Sequence, residues 1–161
     1  MTSQTKLKAS GDIWFQIFGL ILWTLVLFLS LRTYNGSIYS IESTMNLIGF
    51  LQFVVGLSTM IVAQITLRHN YSGFLVIKED HTLIKHGFYK HVRHPMYTGG
   101  IIVAFSIPVY ASSVLGFLVA IMIIPLLIYR MGIEEKMLIE KFGDEYREYI
   151  ENTKRWIPYL Y

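Results

Sequence analysis

The sequence predicts an all-α, polytopic integral membrane protein: two transmembrane helices, a helical hairpin and a cytoplasmic C-terminal helix. Three observations carry that expectation. Of the 161 residues 53% are hydrophobic and only 16% are charged, whereas charged residues make up about 25% of an ordinary soluble domain. Three long stretches contain no Asp, Glu, Lys or Arg: 13–31 (19 residues), 45–67 (23 residues) and 96–129 (34 residues). Beyond the last of them, apolar and aromatic residues recur at helical spacing. So apolar a chain has too little polar surface to coat a soluble globule, which excludes a soluble enzyme. Its length suits one domain, 1–161. The absence of cysteine excludes a disulfide framework, a thiolate metal site and a cysteine nucleophile. Fourteen basic and 11 acidic residues give a net charge of +3. The basic residues flank apolar runs, which suits anionic lipid headgroups and not nucleic acid.

Residues 1–11 are expected to be loosely ordered. Helix 1 (13–31) and helix 2 (45–67) each have the length of one bilayer crossing. The first apolar run exceeds a signal-peptide core of ~7–15 residues and has no small-x-small cleavage site before Arg32, so a retained helix is expected. The third run as a single helix would be about 51 Å long at ~1.5 Å per residue, well beyond a ~30 Å hydrocarbon core. It must fold back, and Pro108, Ser112, Ser113 and Gly116 place the break between legs 96–110 and 113–129. The remainder, 130–158, reads as a C-terminal helix and tail. Over 133–150, Leu138, Phe142, Tyr146 and Tyr149 share one helical face, with a stop and restart at Gly143-Asp144. Lys and Arg set the orientation. Lys6 and Lys8 precede helix 1, Arg32 alone stands between helices 1 and 2, and the segment 68–94 and the tail hold most of the rest. The positive-inside rule therefore makes the N-terminus, the 68–94 segment and the C-terminus cytoplasmic.

The densest polar cluster, 81–97, holds four of the five histidines. Their spacing matches no zinc pattern, and neither a cysteine nor a carboxylate pair supports one, so no metal site is expected. Composition alone reads this cluster as an interfacial loop whose His, Lys and Tyr sit among headgroups. Arg130 and Glu134 lie one helical turn apart at the end of the last apolar run. They could pair with each other and close the helix, or they could share a ligand that has a cationic end beside an anionic group.

Gly87-x-Tyr89-x-x-x-Arg93-His94-Pro95-x-Tyr97-x-Gly99, followed across the hairpin by Arg130-x-x-x-Glu134-Glu135-x-x-Leu138-x-x-x-Phe142-Gly143-x-x-Tyr146-x-x-Tyr149 and Arg155-x-x-Pro158, resembles the isoprenylcysteine carboxyl methyltransferase and phospholipid methyltransferase family. The resemblance spans 81–158, about half of the chain, with both motifs in order. It implies S-adenosylmethionine as methyl donor and a lipophilic small-molecule acceptor drawn from among membrane lipids. The family's cofactor contacts fall on His81, Thr82, Leu83, Ile84, Tyr89, His94, Pro95, Met96, Tyr97 and Glu134. Arg130 falls on the substrate-contacting arginine, and Arg130 and Glu134 together are the expected catalytic pair. The region around Phe74 is apolar where eukaryotic members carry a further cofactor-contacting glutamine.

The chemistry of the donor agrees with these roles. Glu134 can hold its α-ammonium, His94 and backbone N–H groups can meet its carboxylate, and Tyr89 and Tyr97 offer aromatic faces to adenine or sulfonium. If Arg130 fixes a carboxylate acceptor, that group is the nucleophile and no base is needed. If it fixes a phosphate, the phospholipid's amine is methylated and a base such as Glu135 or a histidine is required. The sequence leaves both open. Two further readings stand beside these. One is an NADPH-dependent sterol- or steroid-type membrane reductase, which resembles this chain around Arg93-His94-Pro95-x-Tyr97 but usually has Asn where Met96 stands. The other is a non-enzymatic membrane scaffold.

Overall fold

The computed structural model describes residues 7–8, 12–34, 41–77 and 80–156. Lys6, Pro158 and most of the 1–11 stretch expected to be loosely ordered lie outside them. Helix α1 spans Asp12–Thr33 and α2 spans Ile41–Leu67, each a few residues longer than its charge-free run because polar residues at the ends continue the helical geometry. A short antiparallel pairing joins β1 (Leu7–Lys8) to β2 (Val76–Ile77). That ties down part of the N-terminal stretch expected to be loose.

The predicted hairpin is present, but its second leg is longer than expected. Its first leg, α3 (Pro95–Tyr110), carries Pro at its first position, where the missing N–H costs nothing. The chain reverses through Ser112, whose φ is +51°. Ser113 then caps α4 (Val114–Ile121) by accepting the Gly116 N–H at 3.1 Å. After a single interruption at Met122, α5 (Ile123–Phe142) continues in nearly the same run. Pro125 accounts for that interruption, since it cannot donate to the Ile121 carbonyl. The predicted leg 113–129 and the start of the predicted tail are therefore one long element. Arg130, Glu134 and Glu135 project from a helix anchored in the apolar layer. Gly143, with φ +57°, ends α5, and α6 (Asp144–Asn152) follows, as the Gly-Asp pair predicts.

Three helical stretches, Asp12–Thr33, Thr44–Asn70 and Val114–Phe142, are long and apolar enough to cross a membrane. The protein is an integral membrane protein, and lipid covers the exposed Trp14, Phe18, Phe50 and Phe53 faces. α2 and α3 run antiparallel in close contact because glycines remove the side chains between them. A Cβ on Gly99 would lie 2.7 Å from the Gly56 carbonyl oxygen, and one on Gly56 would lie 2.9 Å from that of Gly99. α1 packs on α4, where Val26, Ala104, Ala120 and Ile123 form the core. The start of α1, the end of α2, the start of α3 and the middle of α5 consequently meet at one end of the bundle, and the site lies there.

Candidate active site

α5 presents Arg130, Glu134 and Glu135 to the start of α3, and each has a different set of partners. Arg130 and Glu134 do not pair with each other. The Tyr97 hydroxyl stands between them, accepting from Arg130 Nε at 3.0 Å and donating to Glu134 Oε2 at 2.8 Å. Arg130 Nη2 donates to the Gly73 carbonyl at 2.9 Å, and Nη1 lies 2.9 Å from Asp12 Oδ1. The Phe15 ring covers the guanidinium at 4.5 Å. The Asp12 contact is an ion pair without hydrogen-bond alignment, since Oδ1 has no hydrogen-bond partner among the described residues.

Glu135 is wholly engaged. It accepts from Arg93 Nε at 3.0 Å, from Arg155 Nη2, and faces His94 Nε2 at 3.2 Å. Arg93 also donates through Nη1 to the Ile150 carbonyl at 3.0 Å and to that of Thr153. The backbone joins in: the Arg93 and His94 N–H groups donate to the Lys154 and Arg155 carbonyls at 2.8 and 2.9 Å. This network pins the 91–94 segment and the 153–155 segment onto α5, and removing one member of such a buried pair costs about 3–5 kcal/mol. Glu135 is thus a structural hub, not the available base that phospholipid amine methylation would require.

His94 is buried, at 3% exposure. An ionised Glu135 can only accept, so Nε2 of His94 donates to it, while Nδ1 lies 3.9 Å from Glu134 Oε2. The Nε2–H is therefore spent on Glu135 and does not meet the cofactor's carboxylate, the role expected of His94. Among the described residues Glu134 has no arginine or lysine partner, and its side chain is 31% exposed. Thr82 is held from both sides by Asn70, which donates to its hydroxyl and accepts its N–H, each at 3.1 Å. The Tyr149 hydroxyl donates to the Tyr89 carbonyl at 2.6 Å. Burial raises the phenol pKa of Tyr89, with Glu134 adding to it, and burial likewise raises those of Tyr146 and Tyr149. All three are neutral at physiological pH.

One cavity of about 500 Å³ brings the predicted residues together: His81, Thr82, Leu83, Ile84, Tyr89, His94, Met96, Tyr97, Arg130 and Glu134 all line it. Pro95 does not; it is buried at the first turn of α3, where it starts the helix. The same cavity extends past Trp23 of α1, Met60 of α2 and Leu127 of α5. A polar end formed by the 81–97 segment and α5 is thereby continuous with an apolar end at the level of the spans. Sequence reasoning missed Asp12, Asn70 and Gly73. Asp12 left a usable signal, being the only acidic residue before Glu42 and standing at the mouth of an apolar span, where a carboxylate requires a cationic partner.

A model of the isoprenylcysteine carboxyl methyltransferase (ICMT) family matches residues 47–140. The protein-S-isoprenylcysteine O-methyltransferase of Saccharomyces cerevisiae is 31% identical over 126 residues, covering 76% of this chain and 53% of that protein. A Delta(14)-sterol reductase of Mus musculus is 33% identical over 82 residues, covering 49% of this chain and 20% of that protein. The solved structure of a eukaryotic intramembrane Ras methyltransferase, ICMT, superposes with a TM-score of 0.69 at 21% identity, covering 94% of this chain and 55% of that one. The fold is shared, and this chain spans about half the length of the methyltransferases it matches.

Proposed function

The chain belongs to the isoprenylcysteine carboxyl methyltransferase family, and from that premise we propose that it transfers a methyl group from S-adenosylmethionine to the carboxylate of an isoprenylcysteine-like lipophilic acceptor. One observation carries the proposal: a single cavity joins a polar end, with Glu134 and His94, to an apolar end lined by Trp23, Met60 and Leu127, with Arg130 between them. The residues fit the donor. Glu134, with no arginine or lysine partner among the described residues, suits an ammonium. The 81–84 segment, fixed by Asn70, and Tyr89 suit the nucleoside end.

S-adenosylmethionine supplies an electrophilic methyl on a sulfonium. Arg130 would hold the acceptor carboxylate through Nη1 while Tyr97 and the Gly73 carbonyl fix the guanidinium plane. With the donor bound, the oriented acceptor oxygen would take up its methyl group, the C–S electron pair would stay on sulfur, and no protein base would be needed. The acceleration comes from positioning and from excluding water while opposite charges cancel. A carboxylate acceptor is favoured over a phospholipid amine because Arg130 offers an anion its guanidinium and a carboxylate needs no base, whereas Glu135, a base the amine reaction could use, is committed to two arginines. The clustering of basic residues supports a cytoplasmic site, with both termini on that side.

The partial match to a sterol reductase favours a second reading, nicotinamide-dependent reduction at the same cavity. Thermal unfolding in detergent separates the two. S-adenosylhomocysteine should raise the melting temperature and NADPH should not; the reverse pattern would replace the methyltransferase reading.

A further inference from the structure

The first turn of α1 acts on Arg130 through three side chains that the family motif does not include. Asp12, Phe15 and Gln16 are spaced i, i+3 and i+4, so they share one face of the helix. Asp12 lies 2.9 Å from Arg130 Nη1 while its Oδ2 accepts the Leu75 N–H at 3.1 Å. Phe15 covers the guanidinium, and Gln16 Nε2 donates at 2.9 Å to the Gly73 carbonyl, the same oxygen that receives Arg130 Nη2. Asp12 is held in place by a backbone donor, and its side chain is 1% exposed. It meets Arg130 as a charge and not as a hydrogen-bonded fork.

We infer that Asp12 is a positioning residue that sets how strongly Arg130 grips the acceptor's anion. The inference rests on the reading of Arg130 as the acceptor's anchor. A buried guanidinium with no counter-charge would bind a carboxylate tightly and draw off the electron density that the carboxylate needs as a nucleophile. A fixed Asp12 carboxylate offsets part of that charge, so the acceptor is oriented without being deactivated. Asp12 faces Nη1 from one side at 2.9 Å, and the acceptor would approach the other N–H of that nitrogen. Asp12 touches neither donor nor acceptor in this account and acts only through Arg130.

The test compares full-length wild type, Asp12→Asn and Asp12→Glu in lipid nanodiscs. It measures affinity for S-adenosylhomocysteine, for N-acetyl-S-farnesylcysteine and for the neutral methyl ester of that compound, together with kcat and KM for the free acid. Asp12→Asn should bind the free acid about tenfold more tightly, with ester affinity changed less than about twofold, while kcat falls about tenfold, since removing one charge near a desolvated anion changes affinity by this order. Asp12→Glu, which keeps the charge, should restore the wild-type ratio of acid to ester affinity. Equal changes for acid and ester, or loss of S-adenosylhomocysteine binding in Asp12→Asn, would make Asp12 merely structural and overturn the inference. A wild-type protein that methylates the free acid while the acid-to-ester ratio is unchanged in Asp12→Asn overturns the Asp12 assignment alone. Absence of transfer by the wild type overturns the carboxylate reading and this inference with it.

Discussion

Replacing Glu134 with Gln removes the donor site's negative charge while keeping an oxygen for the Tyr97 hydroxyl, which Glu134 now accepts at 2.8 Å. The variant therefore isolates the charge from the scaffold. Truncating one partner of a buried, hydrogen-bonded charge pair costs about 2–5 kcal/mol. The Glu134 side chain is 31% exposed, so solvent screens part of the attraction and the lower portion of that range, about 2–3 kcal/mol, applies. At about 1.4 kcal/mol per factor of ten, S-adenosylhomocysteine should bind roughly 30- to 150-fold more weakly. Calorimetric titration of the detergent-solubilised protein measures this directly. The ligand-free melting temperature should stay near that of wild type, because no arginine or lysine among the described residues relies on Glu134. Affinity within about twofold of wild type, with an unchanged melt, would show that the ammonium is held elsewhere and refute the assignment.

Three further outcomes follow from the same geometry. His94→Ala should weaken S-adenosylhomocysteine binding and lower the melting temperature, since it exposes both Glu134 and Glu135, whereas the exposed His91→Ala should change neither; equal losses in a titration of both variants would reduce the segment to a folded unit. Arg130→Lys should leave donor-product affinity nearly intact but cut kcat/KM by roughly 100-fold, because an ammonium cannot serve Tyr97, Gly73 and an anion in one plane; steady-state methyl transfer beside calorimetry checks it, and a fully active lysine variant would remove the anchoring role. Gly99→Ala should destabilise the α2–α3 pair by about 1–3 kcal/mol, while the neighbouring Gly100→Ala, whose Cβ would meet open space, should melt like wild type.

Much of this architecture is legible in the sequence because the bilayer imposes few options. Charge-free runs of fixed length locate α1 and α2, and an over-long run with Pro108 and two serines locates the turn of the hairpin. The boundary between hairpin and tail was not legible. The charge-free run ends at Tyr129, but the helix does not: α5 carries on through Arg130, Glu134 and Glu135 to Phe142, because charged side chains aimed into the site do not interrupt helical geometry. The site divides in the same way. Ten of its residues converge on one cavity as the motif implies, because the motif records which side chains must meet. Pro95 belongs to the motif for a different reason, as a helix start. The partnerships were hidden: Arg130 and Glu134, one turn apart, look like a pair, but the inserted Tyr97 hydroxyl and the distant Asp12 divide them. The role of Glu135 was hidden too, because its arginine partners arrive from segments 42 and 20 residues away.

The most direct test of the proposed chemistry is the base stability of the transferred methyl group. Purified protein in nanodiscs is incubated with S-adenosylmethionine labelled in its methyl group, together with N-acetyl-S-farnesylcysteine and phosphatidylethanolamine, and the lipid fraction is then treated with alkali. A carboxyl methyl ester hydrolyses and releases the label as volatile methanol, whereas an N-methyl group stays on the headgroup. The account predicts label that is almost wholly base-labile and that depends on the farnesylcysteine. Base-stable label on the phospholipid, or no transfer to the carboxylate, would contradict it.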